Sequence, residues 1–324
     1  MRSFLFALAL LSSSTAAPAQ SPPDFVLSEG FLHQLAQRSA AVIDLPVVLT
    51  HRTNNVHALA NDCEMHLAGT PTGTQLADPF SVVVEPPNLC KFAPPTGTSW
   101  GTLFDTNVIN QNCIATGYPR IFTEHAASGS AGGANPNHVL EIHPAIRLTC
   151  GANVIDFTSD LTYFPGMRSI KPATADDCVR NRTVSIRYDA TAHRYEVLED
   201  GGTCGNFAMA EIGFVQPKWI QAINGGHTAI ARVSLDGESR TTLKLYTIAG
   251  TPADQWLANV KTNGLGPDRV YVHGMITYDY LSFVKAVRSK SGQWTNPSTW
   301  TKVDHPISLV LFGFPAQAPW VEDQ

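Results

Sequence analysis

The chain has 324 residues, a formal net charge of −5, 44% hydrophobic side chains and only 15% charged ones, a balance that supports a folded core and excludes a disordered polymer. With 22 basic against 27 acidic residues it has no electrostatic footprint for wrapping duplex DNA. Its 24 glycines and 22 prolines suit a loop-rich β protein better than a helical one.

In chain order, Met1 and Arg2, the short apolar run 4–11 and the small residues Ala17-Pro18-Ala19 read as a secretory signal peptide over residues 1–19, with the mature chain starting near Gln20. No later run approaches the roughly eighteen apolar residues of a membrane helix. The expectation is a secreted or periplasmic protein with no transmembrane segment. Within an N-terminal segment over 20–44, Phe31, Leu32, Leu35 and Ala36 stand at helical spacing behind Ser28 and Glu29 and predict one short helix.

From Leu45 the pattern turns strand-like, over residues 46–50, 62–68, 80–85, 113–117 and 138–150, broken by Gly, Pro, Asn and Thr clusters. Five short strands predict a small antiparallel barrel over 45–150. An OB-like barrel fits best, since its fourth and fifth strands are antiparallel neighbours and a long Gly/Ala/Ser/Asn loop joins them here. Residues 151–324 read as a second β domain, with strands over 183–188, 194–198, 207–215, 228–235, 241–248, 269–276, 281–288 and 307–314 and helix confined to 252–260. A weak internal echo sets 113–117 leading to 138–147 against 271–274 leading to 280–288, compatible with a degenerate second barrel.

The six cysteines, even in number and without a Cys-x-x-Cys pair, predict disulfides. Residues facing each other across a hairpin have a constant index sum. The turn at 189–192 predicts 381 and Cys178 with Cys204 gives 382; the loop at 125–137 predicts 262 and Cys113 with Cys150 gives 263. Cys63 and Cys90 remain as the third pair.

Six of the eleven histidines lie between positions 51 and 143. On a strand, positions two apart share a face, so Asp62, Glu64 and His66 point one way, as do Glu141 and His143. Glu85 closes a third strand and His125 opens the long loop. Imidazole with carboxylate is a ligand set for a borderline divalent ion such as zinc, and also a pairing for general acid–base work. The competing reading is a cross-strand polar face contributing roughly 0.2–1 kcal/mol per pair, since a His-Glu-x-x-His signature is absent. Glu85 by itself reads as a strand-end carboxylate, and His51 and His57 as solvated loop residues. Histidines 193, 227, 273 and 305 have no partner at strand spacing.

The ordered motifs Asp62-x-Glu64-x-His66-Leu67, Val84-Glu85 with a proline and Cys90 behind it, Gly117 with His125, then Asn137 and Glu141-Ile142-His143-Pro144 resemble an uncharacterised module of exported bacterial proteins. That module runs Asp-x-Asp-x-His-Leu, Glu-x-Pro and Cys, Gly and His-Gly, Glu-Leu-His-Pro-Val. This copy uses Glu64 for the second Asp, Ala126 for a Gly and Ala145 for a Val. The resemblance covers residues 55–148 and implies a compact exported unit; it implies no activity.

The leading reading is an exported, disulfide-stapled β protein whose first barrel binds a ligand or divalent metal at Asp62, Glu64, His66, His125, Glu141 and His143. His66 and His143 stand first as metal ligands, with Glu141 or Asp62 third, and an open position would allow metal-assisted hydrolysis. The alternative is a non-catalytic envelope binding or scaffold protein, using an OB-like face for oligosaccharide, peptide or single-stranded nucleic acid.

Overall fold

The computed structural model describes residues 22–38, 41–58, 62–72, 77–78, 81–95, 97–126, 133–162, 172–237, 239–264 and 269–314; the segment read as a signal peptide lies outside them. The chain opens with β1 (Phe25–Ser28) and α1 (Glu29–Arg38), then runs through β2 (Ile43–Arg52), β3 (Leu67–Pro71), β4 (Ala77–Asp78), β5 (Val82–Val84), α2 (Trp100–Asn107), β6 (Asn112–Ile121), β7 (Leu140–Cys150) and β8 (Asn153–Asp156). A middle stretch supplies α3 (Pro172–Asn181), β9 (Thr183–Asp189) and β10 (Arg194–Asp200). Then follow β11 (Phe207–Val215), β12 (Gln221–Ile223), β13 (Gly226–Ser234), β14 (Thr241–Ile248), α4 (Pro252–Asn263), β15 (Val270–Tyr278), α5 (Tyr280–Ala286), β16 (Thr301–Lys302) and β17 (Ile307–Gly313).

The first barrel has strand order β5-β3-β2-β6-β7 and is closed by parallel pairing of β5 with β7. Counting its five strands in chain order, the neighbours run 1-2-3-5-4-1 with α2 between the third and fourth, which is the OB connection the sequence suggests. The second barrel repeats it. Its order is β11-β15-β17-β14-β13, closed by β11 on β13, with β14 parallel to β17 and α4 between the third and fourth strands. Gly117 on β6 and Gly274 on β15 hold matching places. A Cβ at Gly117 would meet Pro144 O at 2.4 Å, and one at Gly274 would meet Val310 O at 2.5 Å, so each fourth strand presses its backbone onto the fifth where the register shifts.

The echo between the halves therefore holds at its first segment, Gly117 against Gly274, and fails at its second. Of residues 281–288, expected as a strand, 281–286 belong to α5 and Val287 is its C-cap: buried Tyr280, Phe283, Val284 and Val287 follow helical spacing, and Asp279 accepts from Leu281 N to cap the turn. Helix also extends beyond 252–260, to α4, α5 and α3 in the second half. In the first barrel α2 buries Trp100, Leu103 and Phe104 behind the Ser99 cap. The strand expected over 62–68 starts only at Leu67, because Cys63 at φ 64° breaks the extended run.

A third sheet, β16-β9-β10-β1-β4, ties the two barrels to the N-terminal strand. The barrels also pack directly: Tyr118 of β6 lies 5.5 Å from Tyr246 of β14, and Phe122 lies 5.6 Å from Tyr278 of β15, ring centre to ring centre. All three expected disulfides are present, Cys63–Cys90, Cys113–Cys150 and Cys178–Cys204. Cys113 and Cys150 face each other directly across β6 and β7. Among the described residues no helix is long and apolar enough to cross a membrane.

Candidate functional site

Two loops of the first barrel carry most of the polar site. The β2–β3 loop brings His57, Asp62, Glu64 and His66; the β6–β7 loop brings Glu124, His125, Asn135 and His138. In OB barrels these two loops border the ligand face. Between them the ends of β5 and β6 and the start of β7 add Glu85, Arg120, Glu141 and His143.

An inner set is buried. His143 lies at its centre with both nitrogens on carboxylates: Nε2 donates to Glu64 Oε1 at 3.0 Å and Nδ1 to Glu85 Oε2 at 2.8 Å, with Glu141 Oε2 at 3.4 Å. Glu141 also receives His138 Nε2 at 3.2 Å and pairs with Arg120. Arg120 reaches into the second barrel, donating to Asn206 Oδ1 at 2.7 Å and Ile276 O at 3.2 Å, while Phe207 covers His143 with ring centres 5.9 Å apart. The second barrel is thus the lid that takes these charges out of water.

Charged groups in such a place must be compensated, and the set supplies its own compensation, three carboxylates against Arg120, His138 and His143. Burial pulls His143 down, but Glu64 and Glu85 outweigh it and hold its pKa well above the ordinary value. Burial pushes Glu85 up, yet His66 and His143 prevail and bring it to about 2. Glu141 sits well below the usual range, Arg120 and His138 overcoming burial. For Glu64 burial wins, and its pKa is well raised.

An outer set lines an open cleft of about 270 Å³. His57 Nδ1 lies 2.8 Å from Asp62 Oδ1, and His66 Nε2 lies 3.4 Å from Glu85 Oε1. The hydrogen bond to Asp62 raises the His57 pKa against partial burial, while burial lowers that of His125. Imidazole centres step across the cleft, His57 to His66 at 4.7 Å, His66 to His125 at 6.4 Å and His125 to His138 at 5.3 Å. His66 Nδ1 and His125 Nδ1 are buried and have no hydrogen-bond partner. One donor atom each from His57, Asp62 and His66 lie within 4.8 Å of one another.

All six expected residues thus fall in one polar region, divided by depth: Glu64, Glu141 and His143 inside, Asp62, His66 and His125 at the cleft. Glu85 joins the halves. It is no mere strand-end carboxylate, because β5 runs parallel to β7 and the pairing Val84 with Ile142 sets the next residue, Glu85, beside His143. Nor is His57 a solvated loop residue; it is held by Asp62. His227, without a partner at strand spacing, is satisfied from α4, where Asp254 lies 2.8 Å away. Arg120 was legible and missed: it opposes Glu141 in the β6–β7 register, and their indices sum to 261, one from the value the loop predicts. Asn206 carried no sequence signal.

Compared with known proteins, the chain matches no family model and no curated protein.

Proposed function

We propose that the first barrel of this exported protein holds one divalent cation of the zinc class in the cleft, bound by His57, Asp62 and His66 with His125 opposite. The observation that carries the reading is the convergence of the His57, Asp62 and His66 donor atoms beside two buried imidazole nitrogens that lack a partner. Ligands of a tetrahedral zinc stand roughly 3.4 Å apart, since each lies about 2.0–2.1 Å from the ion, so a small side-chain adjustment closes the set. Glu85 behind His66 repeats the carboxylate–imidazole arrangement that orients metal-binding histidines.

The ligand set moves from the expected His66 and His143 to the cleft because His143 uses both nitrogens on buried carboxylates. The inner set then acts as support, fixing Glu85 and through it His66. The open side of the cleft leaves room for water or a substrate group on the ion, the arrangement that metal-assisted hydrolysis needs. Asp62, Glu85, Glu124 and Glu141 among the lining residues oppose a phosphate-rich ligand here, which disfavours single-stranded nucleic acid in this cleft. The three disulfides support an oxidising compartment. Of the motif residues that carry the resemblance to the exported bacterial module, Asp62, His66, Glu85, His125 and Glu141 line this cleft.

The test is metal analysis and zinc titration calorimetry on the full mature chain, with His66→Ala, His125→Ala and, as a control remote from the cleft, His305→Ala. One zinc per chain, lost in the first two variants and kept in the third, is expected. A chain that binds no zinc, or binds it unchanged without His66, overturns the reading.

A further inference from the structure

The second barrel carries its own cleft, of about 270 Å³, and it has the opposite polarity. It lies between the outer side of β13 and β14, the start of β17 and the β15–β17 connection that includes α5. Its apolar wall is Ile230, Ala286 and Ile307, and Lys285, Lys302 and His305 stand exposed at its rim. Ile230 is 42% exposed on an outward-facing strand position, an apolar side chain that gains from being covered.

The charge inside is already settled. Asp279 takes Lys244 Nζ at 2.9 Å, Tyr246 OH at 2.7 Å and Ser282 Oγ at 2.7 Å, so Lys244 and Asp279 cancel. Asp304 is the remaining acid among the described lining residues, and two lysines outweigh it. What is left is an apolar floor under a cationic edge.

We propose that this cleft binds a small amphipathic monoanion, a carboxylate on an unbranched apolar body, with the body against Ile230 and Ile307 and the headgroup at Lys285 and Lys302. The proposal stands independently of the metal reading in the first barrel. A carboxylate answers the lysines as a charge-assisted hydrogen-bond acceptor, and the apolar body displaces water from the wall. Affinity should rise about fourfold per added methylene, the equivalent of the usual transfer free energy of a buried CH₂.

The test is displacement of 1-anilinonaphthalene-8-sulfonate from the full mature chain by hexanoate, octanoate and 1-octanol, read by fluorescence. Octanoate should compete better than hexanoate and about tenfold better than 1-octanol. The double variant Lys285→Gln/Lys302→Gln should lose about tenfold for octanoate and nothing for 1-octanol, whereas Ile230→Asn should weaken both. These side chains are exposed, so the variants keep the wild-type melting transition. Equal competition by 1-octanol and octanoate, an unchanged double variant, or an effect reproduced by Lys218→Gln beside the exposed Trp219 would each overturn the proposal.

Discussion

Glu85 and His143 meet at 2.8 Å, although one follows the third strand of the first barrel and the other lies in the fifth. The parallel pairing of β5 and β7 makes them neighbours, and burial makes the contact costly to break. Glu85→Gln leaves an imidazolium facing fewer charges inside the protein, and a loss of about 3–5 kcal/mol is expected. Urea unfolding at pH 7 checks it; a midpoint within error of wild type would contradict the assignment. The same variant should weaken zinc binding about 10- to 100-fold by releasing His66.

Arg120 and Glu141 form the second buried pair, and here a cycle separates the pair from its surroundings. Arg120→Met and Glu141→Gln should each destabilise by several kcal/mol, and the double variant by less than their sum, with a coupling of about 1–3 kcal/mol. Additive losses would show that the two charges do not act on each other.

His273 provides the pH dependence. It is fully buried in β15 between Phe207 and Phe312, and burial lowers its pKa to about 4. Because the unfolded imidazole takes its proton near pH 6.5 and the folded one only near 4, this residue's contribution is intact above 6.5 and lost as the pH falls toward 4. His273→Phe should remove about 2–3 kcal/mol of acid destabilisation across that window. The measurement is unfolding free energy at pH 7, 5.5 and 4; a variant whose stability falls with acid as steeply as wild type sinks the assignment.

Two glycines should respond with opposite sign. Gly117→Ala drives a methyl group into Pro144 O at 2.4 Å and Ile142 Cγ2 at 2.6 Å, and a loss of about 1–3 kcal/mol follows. Gly30 in α1 has nothing within 4 Å of an added Cβ, so Gly30→Ala should stabilise by roughly 0.5–1 kcal/mol. Thermal melts of the two variants read the difference directly.

Much of this could be read from residue order because hairpins are local. Cys113 with Cys150 follows from the turn position, and so does the fourth-to-fifth strand pairing that names the barrel; Cys178 with Cys204 meets the index sum although Cys178 stands in α3 and Cys204 beyond β10. The partnership of Glu85 with His143 could not be read that way. It depends on a parallel contact, which has no constant index sum and arises only once the barrel closes. Asp62, Glu64 and His66 do not share one strand face as alternation predicts: Cys63 turns the chain through positive φ, so Glu64 enters the interior while Asp62 and His66 stay at the cleft. Residues 281–288 misled because Leu281, Phe283 and Val284 satisfy a strand count as well as a helical one, and the cap at Asp279 decides.

The sheet that joins the barrels has a consequence for assembly. Phe25–Ser28 pairs on one edge with Ala77–Asp78 and on the other with Arg194–Asp200, Phe25 opposite Val197, so this second edge stays uncovered until roughly 170 more residues of chain have emerged. A polypeptide interrupted after the first barrel would carry that strand as an open edge. The strand that comes first in this sheet is thus sealed on its second edge by β10, ahead of every strand of the second barrel, which ties the start of the fold to its middle rather than to its end.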